Sequence, residues 1–139
     1  MRHYPAKIEH MKEGGFVVTF RDIPEAVAYG KTRLDVTKNA VYELTAVMHE
    51  CFECRRAVPP PSDLLAGEVL IELTAGAEVL ALLASELLES GLTNTALARR
   101  MGVRTKEVNR FIRTVKNPSI DTIALVLRAL GKRMTLQVA

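Results

Sequence analysis

Residues 93–112 read TNTALARRMGVRTKEVNRFI, and two helices joined by a tight bend account for almost every position. Helices that cross steeply need a small residue at the crossing, and Ala98 stands there. The bend needs a residue that tolerates left-handed φ, which Gly102 supplies four positions later. Leu97 and Met101 form the inner face of the first helix, while Val108, Phe111 and Ile112 form that of the second. These constraints together describe a helix-turn-helix.

With that inner face assigned, the second helix turns Thr105, Lys106, Asn109, Arg110 and Arg113 outward. Arg and Lys pair with guanine edges, Asn with adenine, and Thr with thymine methyls or phosphates. Asn94 and Thr95 open the first helix, where free amides and the helix dipole favour a phosphate. Arg104 and Lys116 flank the reading helix and suit backbone contacts. Arg104 occupies a position usually held by a Ser or Thr cap, so either Thr105 caps or the first turn is looser. The alternative is a helical hairpin with a merely solvated basic face. Such a surface normally carries neutralising acids, and they are nearly absent here.

The charge of the whole chain follows the same division. From Gly91 onward there are ten Lys or Arg against two acids, a net +8, whereas the first ninety residues hold nine against fourteen, a net −5. Opposite fields on one small protein point to two partners, a polyanion for one end and a basic molecule for the other. With 48% hydrophobic and 25% charged residues, the 139-residue chain reads as globular, with one ordinary domain or two small ones. Its apolar runs, such as 79–84, fall far short of the ~20 residues that span a bilayer. The start MRHYPAK lacks the apolar core of a signal peptide, and two cysteines make no disulfide framework. No membrane association and a reducing cytoplasm are the expectation.

Helical periodicity extends over 77–90, 94–101, 105–115 and 120–130, interrupted at Gly91, Gly102, Asn117-Pro118 and Gly131. Ser119 is the expected N-cap of the last helix. Met134, Leu136 and Val138 alternate with polar residues, which predicts a short strand without a partner inside a helical domain, and hence a dimer seam. Helix-turn-helix proteins bind as dimers on half-sites about one DNA turn apart, so a homodimer or higher even-numbered oligomer is expected.

The first part reads ββ(β)αβ. Tyr4 to Lys12 alternates as a strand, Gly14-Gly15 turns it, and Phe16 to Phe20 returns. Val27 to Tyr29 is a short third strand. A helix follows from Leu34 to about Cys54 on the stripe Val36, Ala40, Val41, Leu44, Val47, Met48 and Cys51. Pro59-Pro60-Pro61 cannot continue it, and Glu68 to Leu73 is a further strand. The predicted class is therefore α+β followed by an all-α, Cro/repressor-like domain, with a boundary between 1–74 and 75–139.

Catalysis finds little support in this first part. A Mg²⁺ nuclease needs several acids converging at one end of the sheet. Glu9 and Asp22 are the available pair, while most other acids lie on the helix or beyond the linker. Cys51 and Cys54 with His49 make three zinc ligands at best. A redox pair belongs at a helix N-terminus, and this one falls at a C-terminus. Two ordinary thiols are expected, with no cofactor and no metal; His3 and His10 read as surface residues of a strand.

Residues 4–44 resemble the N-terminal domain of the HicB family of antitoxins. The resemblance rests on Gly14-Gly15, the strand Phe16 to Phe20, Asp22-Ile23-Pro24, Gly30-Lys31-Thr32 and Asn39-Ala40, in that order and spacing. Pro59-Pro60-Pro61-Ser62, the EVLIEL strand and the helix-turn-helix are similar to longer members, so it covers nearly the whole chain. It implies a partial ribonuclease H-like domain without the nuclease acids. It also implies a partner, a small basic HicA-type toxin that cleaves messenger RNA, and repression of the operon through operator DNA. Candidate toxin contacts are Tyr4, Glu9, Phe16, Asp22 and Glu25. The competing reading is a stand-alone repressor whose N-terminal domain senses a small ligand.

Overall fold

Gly14 and Gly15, both at positive φ, fold β1 (His3–His10) back onto β2 (Phe16–Phe20) in the computed structural model, which describes all 139 residues. The hairpin pairs Ala6 with Phe20 and His10 with Phe16. With β3 (Val27–Gly30) and β4 (Val69–Glu72) it makes a four-stranded sheet in the order β3-β2-β1-β4, antiparallel at every step.

Helix α1 (Arg33–Cys54) covers one face of this sheet. Its start explains two short motifs of the sequence. A Cβ at Gly30 would collide with the backbone of Val36, so only glycine lets strand and helix approach this closely. The Thr32 hydroxyl then accepts from the amide of Asp35, and Asn39 donates to the carbonyl of Tyr29 at 2.7 Å. Ala40, Leu44, Met48 and Cys51 meet Tyr4, Ala6, Val18, Phe20 and Ile71 in the core, all buried. Val41 is only half-buried, and Phe52, outside the expected stripe, is fully buried at the helix end.

Residues 56–68 form no helix or strand but are strapped to the sheet. The Tyr4 hydroxyl donates to Pro59 O at 2.6 Å, and Arg21 forks onto Glu68 at 3.0 and 3.1 Å. Asp22 accepts from both the amide and the hydroxyl of Ser62.

Helix α2 (Ala75–Ser90) starts two residues before its expected position because Thr74 caps it. Its small face, including Ala77, Ala81 and Ala84, lies along α1. There follow α3 (Asn94–Met101), α4 (Thr105–Thr114) and α5 (Ile120–Ala129), with Thr93 and Ser119 as side-chain caps of α3 and α5. A continuous cluster of 28 buried residues runs from Tyr4 in the sheet to Val126 in α5. The expected strand at Met134 to Val138 is absent: residues 131–139 form no ladder, and Leu136 and Val138 are exposed. A strand exists only when its amides and carbonyls are paired, and residues 131–139 join no strand of this single chain. No helix is long and apolar enough to cross a membrane.

Candidate nucleic-acid interface

The turn between α3 and α4 forms where Gly102, at φ 72°, bends the chain so that the amide of Val103 reaches Ala98 O at 3.0 Å. Ala98 is buried at the α3–α4 contact, as a close crossing requires. Val108 and Ile112 hold α4 in the core. Phe111 is half-buried and meets Phe52 of α1 edge-on, with ring centroids 6.1 Å apart. This burial leaves Lys106, Asn109, Arg110 and Arg113 exposed on the opposite face of α4.

None of the seven cations from Arg99 to Lys116 forms an ion pair with an acid. Their charge is uncompensated and free to meet phosphates. Arg104 is exposed at the N-cap of α4 and makes no side-chain cap. Thr105 does not cap but is the first helical residue and half-buried, so of the two alternatives the structure has the uncapped first turn. The first amides of α4 therefore lack a side-chain acceptor, which suits a phosphate oxygen. Thr95 is exposed in the first turn of α3, and Lys116 is exposed just beyond α4.

The Asn94 side chain is committed within the protein. Its Oδ1 accepts from Arg55 Nη2 at 2.7 Å, and its Nδ2 donates to Asn109 Oδ1 at 2.9 Å. Both ends of the carboxamide are engaged within the protein, so the side chain anchors the motif, while the expectation of a phosphate rests on the backbone amides at the start of α3. Sequence reasoning passed over the other half of this contact, Arg55. This residue is the C-cap of α1, at φ 56° the single non-glycine residue with positive φ. Its Nη1 also donates to Leu92 O at 2.6 Å, and burial lowers its pKa from the ordinary value. The His49 ring lies 3.2 Å from Ile112 O, a polar contact of α1 with α4. A cation at a helix C-terminus was the sole sequence signal for Arg55, and it did not specify a partner.

The acidic part separates its five candidates. Tyr4 is fully buried, with its hydroxyl bonded to Pro59 and its pKa pushed up to about 12, first of all by burial. It is a core residue and offers no surface to a partner. Asp22 is also committed within the chain. Burial alone would raise its carboxyl, but the two Ser62 hydrogen bonds and nearby Arg21 hold it below the ordinary value. Glu9 and Glu25 are exposed, and Phe16 is half-buried between the His10 ring and Arg33.

Glu9 pairs opposite Val17 beside the hairpin turn, whereas Asp22 follows the other end of β2, so the two acids do not meet. Lys7, Glu9, Val17 and Tyr29 share the sheet face away from α1. Cys51 is buried, its thiol raised by that burial, and Cys54 is exposed; both are free thiols.

Residues 3–81 match the family model of the HicB-like antitoxin of bacterial toxin-antitoxin systems, and residues 83–137 match a helix-turn-helix model. The chain is similar to Antitoxin HicB 2 of Photorhabdus laumondii subsp. laumondii, 39% identical over 133 residues that make up 96% of this chain and 94% of that protein. It is 36% identical to Antitoxin HicB 1 of the same organism over 135 residues, 97% of this chain and 86% of that one. Antitoxin HicB of Escherichia coli is 33% identical over 133 residues, 96% of each chain. A HicB-like layer keyed at Phe52 and Arg55 to a helix-turn-helix with an unpaired basic face makes this chain a member of the HicB antitoxin family.

Proposed function

We propose that residues 1–74 bind and occlude a basic, HicA-type toxin that cleaves messenger RNA, and that residues 75–139 bind operator DNA and repress the operon encoding both proteins. The DNA-binding species is a cytoplasmic homodimer or higher even-numbered oligomer. The observation that carries the DNA half is the unpaired basic face of α4, whose opposite face is buried. In this reading Lys106, Asn109, Arg110 and Arg113 face base edges, while Thr95, Arg104, Thr105 and Lys116 contact the phosphate backbone. Glu9, Glu25 and Phe16 are the toxin-facing candidates that retain exposed surface, and the net −5 of the first ninety residues would hasten capture of a cationic partner. The N-terminal layer is read as ribonuclease H-like without its acids, and its role is binding.

The test is co-expression with the small basic protein encoded beside it. Stoichiometric co-elution and loss of messenger-RNA cleavage support the toxin half, and separate elution refutes it. The competing reading, a stand-alone repressor whose N-terminal domain senses a small ligand, gains nothing from the cavity of about 170 Å³ behind α4, because apart from Phe52 its lining comes from residues 87–126. It predicts full operator control without any protein partner.

A further inference from the structure

Taking α4 as the DNA-reading helix, we infer that Arg55 fixes the hydrogen-bonding polarity of Asn109, so that Asn109 offers DNA amide hydrogens only. Its target is then an acceptor on a base edge, guanine or thymine, and not the donor–acceptor pair of adenine.

The polarity follows from chemistry that leaves no choice of orientation. A guanidinium only donates. Arg55 Nη1 is directed at Leu92 O (2.6 Å) and Leu87 O (3.4 Å), and Nη2 points at Asn94. The atom of Asn94 that faces it must be the oxygen. The Asn94 amide nitrogen therefore faces Asn109, and the atom of Asn109 that receives it must again be the oxygen. Arg55 and Asn94 are both half-buried, so water competes weakly at the first link. Asn109 is exposed, and the group it has left for the groove is its NH₂.

An asparagine that reads adenine uses its oxygen for N6 and its NH₂ for N7. Here the oxygen is turned back into the protein. A donor alone is fully matched by O6 and N7 of guanine or O4 of thymine, whereas on adenine it can use N7 but leaves the N6 amino group without an acceptor. The relay also runs from α1, in the acidic part of the chain, through α3 to the outer face of α4.

Asn94→Asp tests this with almost no change of shape. The carboxylate accepts from Arg55 with one oxygen and turns the other to Asn109, which must rotate its carboxamide to donate, exposing its own oxygen. Duplexes bound from a random-sequence pool are sequenced for wild type, Asn109→Ala, Asn94→Asp, Arg55→Leu and Arg110→Ala. Asn109→Ala identifies the base position involved, as the one whose preference disappears. Wild type should prefer guanine or thymine there, Asn94→Asp should shift to adenine or cytosine, and Arg55→Leu should flatten the preference. A wild-type preference for adenine or cytosine, or one that Asn94→Asp leaves in place, overturns the inference. So does an Asn109→Ala variant that alters no position. If Asn94→Asp does not fold, a preference kept sharp by Arg55→Leu has the same force. Failure of the underlying reading looks different: the selected motif would then be indifferent to Arg110→Ala as well.

Discussion

Arg104, proposed to contact the phosphate backbone, stands at a position that favours a different side chain. Its position is the N-cap of α4, where Ser or Thr would accept from a first-turn amide, yet arginine has nothing to accept with. Arg104→Ser should therefore stabilise the fold by about 1 kcal/mol, read as a higher melting temperature, while weakening DNA binding. A variant that gains stability and keeps its DNA affinity would remove Arg104 from the interface. Arg110→Ala should cost about 1–3 kcal/mol on the cognate site and relax base preference at one position. Lys116→Ala should weaken all sequences alike and reduce the salt slope by about one. Titrations at several salt concentrations separate the two outcomes. The outward set on α4 was legible because burial of Val108 and Ile112 dictates which side faces out. The engagement of Asn94 was not legible, because its donor lies 39 residues away in sequence.

At the scale of elements, the segment 56–68 depends on ionised carboxylates. The Arg21 hydrogen bond, then the amide of Leu65, hold Glu68 below its ordinary range, and Asp22 is held low by Ser62 and Arg21 against the opposing effect of burial. A carboxyl whose folded pKa is depressed contributes stability that is present above its unfolded value and is lost as pH falls through the folded one. With ordinary values of 3.8 and 4.5, the strap should hold at neutral pH and loosen on acidification below about 4. Amide exchange at Ser62 and Leu65, corrected for its intrinsic pH dependence, should accelerate in that window. Protection that persists to pH 2 would show that the strap does not rely on these groups.

The elements themselves were legible to within one or two residues, since caps and glycines are local: Thr32, Thr74, Thr93 and Ser119 each accept from an amide three residues on. The C-terminal strand was not, because alternation of Met134, Leu136 and Val138 describes a competence to pair, and pairing needs an edge.

For the whole molecule, α2 ties the acidic layer to the basic one. Leu87 is fully buried where α2 meets the cavity behind α4, so Leu87→Ala should cost about 2–5 kcal/mol. Both parts should still melt in one transition, because the buried cluster is continuous. Two separated transitions in calorimetry would show that the parts fold independently. Deleting residues 133–139 should reduce the oligomer to a monomer if the exposed tail pairs across a two-fold axis. An unchanged mass by light scattering would exclude that seam.

By itself the sequence determined the order of elements, the position of the turn at Gly102 and the split of charge, because caps, helical periodicity and net charge are properties of neighbouring residues. The family resemblance was carried by motifs of the same local kind, and the close approach at Gly30 gives one of them its physical reason. Only the tertiary structure decided that Tyr4 is core, that Asp22 serves the linker, and that Arg55 is linked through Asn94 to Asn109 of α4. Each of these depends on a contact between segments distant in sequence, and no local pattern encodes which donor will find which acceptor once the chain has closed on itself.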